Sequence, residues 1–289
     1  VLDLLASLVE KSLVAMDADG SRYRYLDTVR AYAAERLGEP GGVLGSRAVC
    51  DRHLGHFLRF AESPAARAGG QQAIQWRRRV DAERENVLSA WFWAIDHADD
   101  PQWSMRLAYA LGAYWTDRGM VGLAQSLSER SLARPGSDAP TVHRCAGLFT
   151  AGQDAYFAGD SVTADRRLAE ALALADQLGE ERWAMRIAGA HGAALVGLGR
   201  VEEAQRQFER ALTLARRFGD GQVAASAAGL LGTLLRLSGD FDGAEARYRE
   251  ALDLAKLAGE DDDAAIALLN VTIVRLLAHR TTGASESLT

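Results

Sequence analysis

The sequence predicts an all-α protein in which antiparallel helix hairpins recur every forty residues and stack into a superhelix. Three observations carry this. Gly112, Gly152, Gly192 and Gly232 are spaced by forty, as are Gly119, Gly159, Gly199 and Gly239. Ala124, Ala164, Ala204 and Ala244 share that period, with Leu132, Leu172, Leu212 and Leu252 behind them. Gly179, Gly219 and Gly259 mark a third register. With 28 glycines in 289 residues, one such four-position register arises by chance roughly once in ten thousand.

Each position has a physical role in a hairpin. A glycine inside a helix costs about 1 kcal/mol relative to alanine. Gly112 and its equivalents are therefore expected at a close approach, where the first helix lies against the small Ala124-type position of the second. The glycine seven residues later suits the left-handed conformation that ends a helix, and Gly179, Gly219 and Gly259 close the second helix in the same way. Pro135, Gly136 and Pro140 lengthen the break after the first repeat. Helices of about 16 residues span about 24 Å, and one hairpin cannot bury both its faces, so neighbours stack around a concave wall.

These residues resemble the tetratricopeptide repeat family. Leu111, Gly112, Trp115, Ala124 and Ser131 fall at that motif's spacings, as do Gly192, Leu195, Ala204, Phe208 and Ala211, and Gly232, Leu235, Ala244, Tyr248 and Ala251. The period is forty where the common form has thirty-four. The resemblance implies a right-handed superhelix over residues 102–289, with repeats at 102–140, 141–180, 181–220 and 221–260 and a partial copy at 261–289. In that last copy Thr272 and His279 replace the glycines. Ala284 keeps the alanine register and places the chain's end inside a second helix, with further repeats expected in the natural protein.

Residues 1–38 carry a second resemblance. Leu4, Leu5, Leu8 and Val9 form a helical apolar stripe, Ser12 to Asp17 and Arg22 to Leu26 read as strands around Ala18, Asp19 and Gly20, and Thr28 to Leu37 returns to helix. LASLVEKSLVAMD followed by YRYLDTVRAYAAERL is similar to the end of the winged-helix domain of STAND-type ATPase regulators of bacteria. Within the linker and helical connector at 39–101, VDAERENVLSAWFWAI (80–95) resembles the segment joining that domain to the repeats. The implied protein is a multidomain transcriptional or signalling regulator whose upstream nucleotide switch is controlled by a repeat sensor. No phosphate-binding loop ending in Gly-Lys-Ser/Thr occurs in these 289 residues.

Composition is that of a folded globular chain, with 48% apolar and 25% charged residues and a net charge of −6. Residues 1–38 hold five Lys/Arg against six Asp/Glu, a balance that argues against direct nucleic-acid contact. Arg77, Arg78 and Arg79 read as a solvated helix face, with Arg77 paired to Asp81 and Arg79 to Glu83. Cys50 and Cys145 lie too far apart in sequence to suggest a disulfide framework. Neither a membrane span nor a signal segment is expected, and a reducing cytoplasm fits best.

No catalytic, cofactor-binding or metal site is expected. Cys50, His53 and His56 lack a fourth ligand, His143 and Cys145 point to different faces of a helix, and Glu260 to Asp263 cap a helix start. Trp76, Trp91, Trp93, Trp103 and Trp115 are expected to pack a junction between layers. The family resemblance places binding on the inner face of each first helix. By position this includes Arg106, Tyr109, Gln153, Tyr156, Arg186, Thr233 and Arg236. The expected occupant is a protein partner or small-molecule inducer, with an upstream nucleotide-binding domain as the partner in the same chain. A structural scaffold or oligomerisation array without sensing is the alternative.

Overall fold

The structure is a computed structural model that describes residues 2–286 apart from 18, 19, 21, 39–45, 68 and 69. It opens with helix α1 (Leu2–Glu10), strands β1 (Val14–Met16) and β2 (Tyr23–Tyr25), and helix α2 (Asp27–Gly38). The strands pair antiparallel with Val14 opposite Tyr25 and Met16 opposite Tyr23, so the expected helix, hairpin and helix are present. The turn residues Ala18 and Asp19 lie outside the described residues, as does most of the break before α3. Arg22 reaches Glu83 at 2.9 Å and ties this unit to the connector.

The connector is itself a helix pair, α3 (Ser46–Ala61) and α4 (Gly70–Asp96), joined through a short 3-10 turn at Pro64–Arg67. Helix α5 (Gln102–Asp117) and helix α6 (Val121–Ala133) follow. The tryptophans fill the junction as expected. Trp76, Trp91 and Trp115 are buried, with Trp93 and Trp103 packed at the edge. Trp91 donates its Nε1 proton to Ser131 Oγ at 3.1 Å, so its polar atom is satisfied inside the core. The arginine block departs from the expected pairing along the helix. Arg77 pairs with Asp117 at 2.7 Å, Asp81 takes Arg118, and the Arg79 guanidinium sits 5.2 Å from the Phe60 ring centre. These partners bridge helices because α5 and α3 bring them closer than the next turn of α4 does.

Three further hairpins complete the stack: α7 (Val142–Phe157) with α8 (Ser161–Leu178), α9 (Glu181–Gly197) with α10 (Val201–Phe218), and α11 (Gly221–Ser238) with α12 (Phe241–Ala258). Gly119, Gly159, Gly199 and Gly239 have φ of 68°, 83°, 73° and 86°, the left-handed values that let each turn close within three residues. Gly179, Gly219 and Gly259 cap the second helices in the same conformation. Pro135 and Gly136 make the longer break, and α6 is the shortest helix of the four hairpins.

The helix glycines do mark close approaches, but their main partner is not the alanine position. A Cβ on Gly152 would meet Leu168 at 2.5 Å, one on Gly192 would meet Phe208 at 2.5 Å, and one on Gly232 would meet Tyr248 at 2.9 Å. The large side chain one turn beyond the alanine lies across the glycine backbone. The alanines pack beside it, fully buried. Gly112 differs and faces Thr150 of α7 at 3.3 Å.

Successive second helices are joined on the convex side by arginine–carboxylate pairs. Arg130 with Asp96, Arg167 with Glu129, Arg210 with Asp176 and Arg216 with Glu250 repeat at separations of 34 to 38 residues. Arg167 with Glu129 is the most covered of the four; the others are more exposed and contribute at most about 1 kcal/mol each, fixing register more than stability.

Helix α13 (Asp261–Glu286) begins at the acidic run as expected and then runs unbroken. The expected turn near His279 and second helix at Ala284 are absent. A histidine stands where four other repeats place a glycine at positive φ, so nothing favours a left-handed cap there. Among the described residues no helix is long and apolar enough to cross a membrane.

The glycine contacts separate packing from helix propensity. Gly192→Ala should lower the unfolding free energy by about 1–3 kcal/mol, because overpacking against Phe208 outweighs the better propensity. Gly229→Ala, whose Cβ would meet only Ala251 at 3.9 Å, should raise it by about 0.5–1 kcal/mol. Urea unfolding of the two variants checks the opposite signs.

Candidate functional site

The first helices α5, α7, α9 and α11 lie side by side and form the concave wall. Two grooves run along it. One of about 490 Å³ lies between α5 and α7, floored by Gly112, Ala113, Thr150 and Asp154. The other, about 440 Å³, continues across α7, α9 and α11 between Phe149, Phe157, Ala193, Val223 and Leu230. They share Gln153, Phe157 and Arg186, so they are continuous.

Four of the seven expected residues meet here. Gln153 and Arg186 sit where the grooves join, Tyr156 lines the second, and Tyr109 lines the first. Tyr109 packs edge-on against Trp183 with ring centres 5.0 Å apart, and Arg186 donates to its hydroxyl at 3.2 Å. Among the described residues Arg186 pairs with no carboxylate.

The other three are placed differently. Arg106 donates from Nε and Nη2 to the two Glu62 carboxylate oxygens at 2.8 and 2.6 Å. That bidentate pair clamps α5 to the end of α3. Thr233 shares a hydrogen bond with the Tyr248 hydroxyl at 3.0 Å, and Arg236 donates to the same oxygen at 3.4 Å. Both hold the fourth hairpin closed, and neither lines the continuous groove. Position in the repeat put all seven on first helices, but local partners decide which side chains remain available.

Asp154 was not among the expected residues. It is 2% exposed, lines the first groove and accepts a hydrogen bond from Ser128 Oγ at 2.7 Å. Burial pushes its carboxyl up to about 6, against a smaller lowering effect of the Ser128 bond. A signal for it exists in the repeat columns. Tyr114, Asp154, Ala194 and Leu234 are equivalent, and only one is charged. Ser128, Leu168, Phe208 and Tyr248 are equivalent, and only one is small and polar.

The fold and groove define a helical-repeat protein that carries tetratricopeptide repeats, and residues 183–257 match the tetratricopeptide repeat family model. Solved structures share the architecture. A Rap protein in complex with competence and sporulation factor superposes with a TM-score of 0.56 at 14% identity, covering 83% of this chain and 74% of that one. Aspartyl phosphate phosphatase F from Bacillus subtilis gives 0.58 at 10% identity, covering 93% and 64%. A STAND protein with a tetratricopeptide repeat sensor from Pyrococcus horikoshii gives 0.54 at 18%, covering 98% of this chain and 44% of that one. In sequence, proteins of Mycobacterium bovis and Mycobacterium tuberculosis that bear the name HTH-type transcriptional regulator are 35% identical over 120 residues. That stretch is 41% of this chain and 13% of the relatives' length.

The buried carboxylate has a measurable consequence. The native chain binds the Asp154 proton more tightly than the unfolded chain does. Stability from this group is therefore present below the ordinary carboxyl value of 3.8 and is lost as pH rises to about 6. The loss is worth about 3 kcal/mol. Asp154→Asn should flatten that part of the pH profile and raise the melting temperature at pH 7.5, as thermal denaturation between pH 4 and 8 would show. A profile unchanged by the substitution would refute the assignment.

Proposed function

We propose that this chain is the sensing arm of a multidomain STAND-type transcriptional or signalling regulator, and that its concave groove captures the signal. The observation that carries the reading is the continuous groove across α5, α7, α9 and α11. At its centre Gln153 and Arg186 present polar groups free of ion pairing among the described residues, between apolar walls. The unit before the repeats supports the regulator context, because α1, the β-hairpin and α2 have the order expected of the end of a winged helix. The repeat-sensor architecture of the Pyrococcus horikoshii STAND protein and the name of the mycobacterial relatives point the same way. In such a protein, binding in the groove would change how the repeats hold an upstream nucleotide-binding domain.

The groove reading is tested with a displayed library of random linear peptides of about nine residues, a length that extended chain needs to span it. Gln153→Ala with Arg186→Ala should cut retained peptide about tenfold, close to 1.4 kcal/mol, with unchanged helical circular dichroism. Equal retention by the double variant would sink the groove. The alternative, a structural scaffold or oligomerisation array without sensing, rests on the apolar stripe of α13. This helix buries Val271 and Val274 and exposes Ile266, Leu269, Ile273 and Leu276 along one stripe. A dimer by light scattering that Leu269→Glu with Leu276→Glu dissociates would favour assembly.

A further inference from the structure

The junction between α5 and α7 breaks the packing rule of the other hairpins. In those, the residue sixteen positions after the helix glycine is Leu168, Phe208 or Tyr248, and it covers that glycine. The first hairpin has Ser128 at that position. A serine is too short to fill the same space, and the Asp154 carboxylate of the neighbouring α7 turns toward it. The result is a buried anion on the floor of an open groove, where the repeat elsewhere puts hydrocarbon.

Among the described residues no cation pairs with Asp154, although this protein pairs its carboxylates widely. Of the other carboxylates along the continuous groove, Asp117 is held by Arg77 at 2.7 Å, and Asp263 lines the second part, across α7, α9 and α11 from Asp154. Arg186 on the facing wall is turned to the Tyr109 hydroxyl. A buried carboxylate with one neutral donor costs the free chain stability, and an entering cation relieves that cost. The small side chains of Ala110, Gly112 and Ala113 beside it leave room for a methylene stem behind the charge.

The shape of the groove favours a chain over a compact ligand. Four helices side by side at the usual 8–10 Å spacing span about 30 Å, which about nine extended residues cover. Past Asp154 the walls turn apolar at Phe149, Phe157 and Leu230. The net charge of −6 adds a long-range attraction for a basic partner.

We propose that the groove binds an extended peptide segment carrying a lysine or arginine, whose cation seats on Asp154 while neighbouring apolar side chains rest on Phe149, Phe157 and Leu230. The proposal rests on the groove reading above and adds the charge of the ligand and its anchor.

The test selects a random linear peptide library of about nine residues on the immobilised 289-residue chain and on Asp154→Asn, and sequences the retained pools. Lysine and arginine should be enriched several-fold in the wild-type pool and return to input frequency with Asp154→Asn, while apolar enrichment persists in both. Equal basic enrichment in both pools would overturn the Asp154 seat and leave the groove standing. Retention that the Gln153→Ala, Arg186→Ala chain matches, or no retained peptide at all, would overturn both. A second variant, Ser128→Leu with Asp154→Ala, restores the pattern of the other hairpins and should also lose basic enrichment. Its persistence there would count against the proposal. Displacement of a selected peptide by the small amine agmatine, with no contribution from the flanking apolar residues, would overturn the assignment to a peptide.

Discussion

The architecture depends on one contact, a large side chain laid across a glycine backbone. At Gly152, Gly192 and Gly232 no Cβ can be accommodated without moving Leu168, Phe208 or Tyr248. That contact sets how closely the two helices of a hairpin approach, and so the angle at which each hairpin presents its face to the next. Because this contact recurs at forty-residue steps in three of the four hairpins, α7, α9 and α11 stay side by side and continue the concave wall from α5. The groove follows from the packing of the layer beneath it.

At the other end of the stack, the junction with the connector is built differently. Here bulky rings replace glycine contacts: Trp91 and Trp115 lie with centres 6.3 Å apart, and Tyr114 packs edge-on against Trp76. Polar atoms are tied down across the same boundary, with Tyr114 donating to Asp81 at 2.9 Å and Arg106 clamping Glu62. The α3–α4 pair therefore covers the first repeat with an apolar surface and a rim of ion pairs. Such a lid ends a solenoid in a defined way.

Much of this fold was legible in the sequence because its determinants are periodic. Glycine at positive φ and buried alanine repeat in register, and each has a steric reason that a sequence can display. The opening helix, hairpin and helix were legible from alternation and turn residues. The groove was harder. Arg106, Thr233 and Arg236 have the right position in the repeat, yet Glu62 lies 44 residues from Arg106 in sequence, and Tyr248 comes from the opposing helix. Asp154 was missed for the opposite reason. Its column departs from the repeat pattern, and the paired departures at Ser128 and Asp154 acquire meaning only through the contact of α6 with α7. The single long α13 shows the same principle in reverse, since His279 stands in the register of the left-handed glycines and the helix continues through it.

The regular separation of the convex ion pairs bears on how such a chain changes over evolutionary time. Helix packing joins each hairpin to its neighbours, with Tyr109 of the first also touching Trp183 and Arg186 of the third, and each convex arginine finds its carboxylate about one repeat away. A forty-residue block duplicated or lost between α8 and α11 would meet an equivalent surface on either side. The wall would lengthen or shorten by one helix, while the junction of α5, α6 and α7 stayed as it is. On the proposed reading, recognition length would follow repeat number, and the anchor at Asp154 would follow two residues.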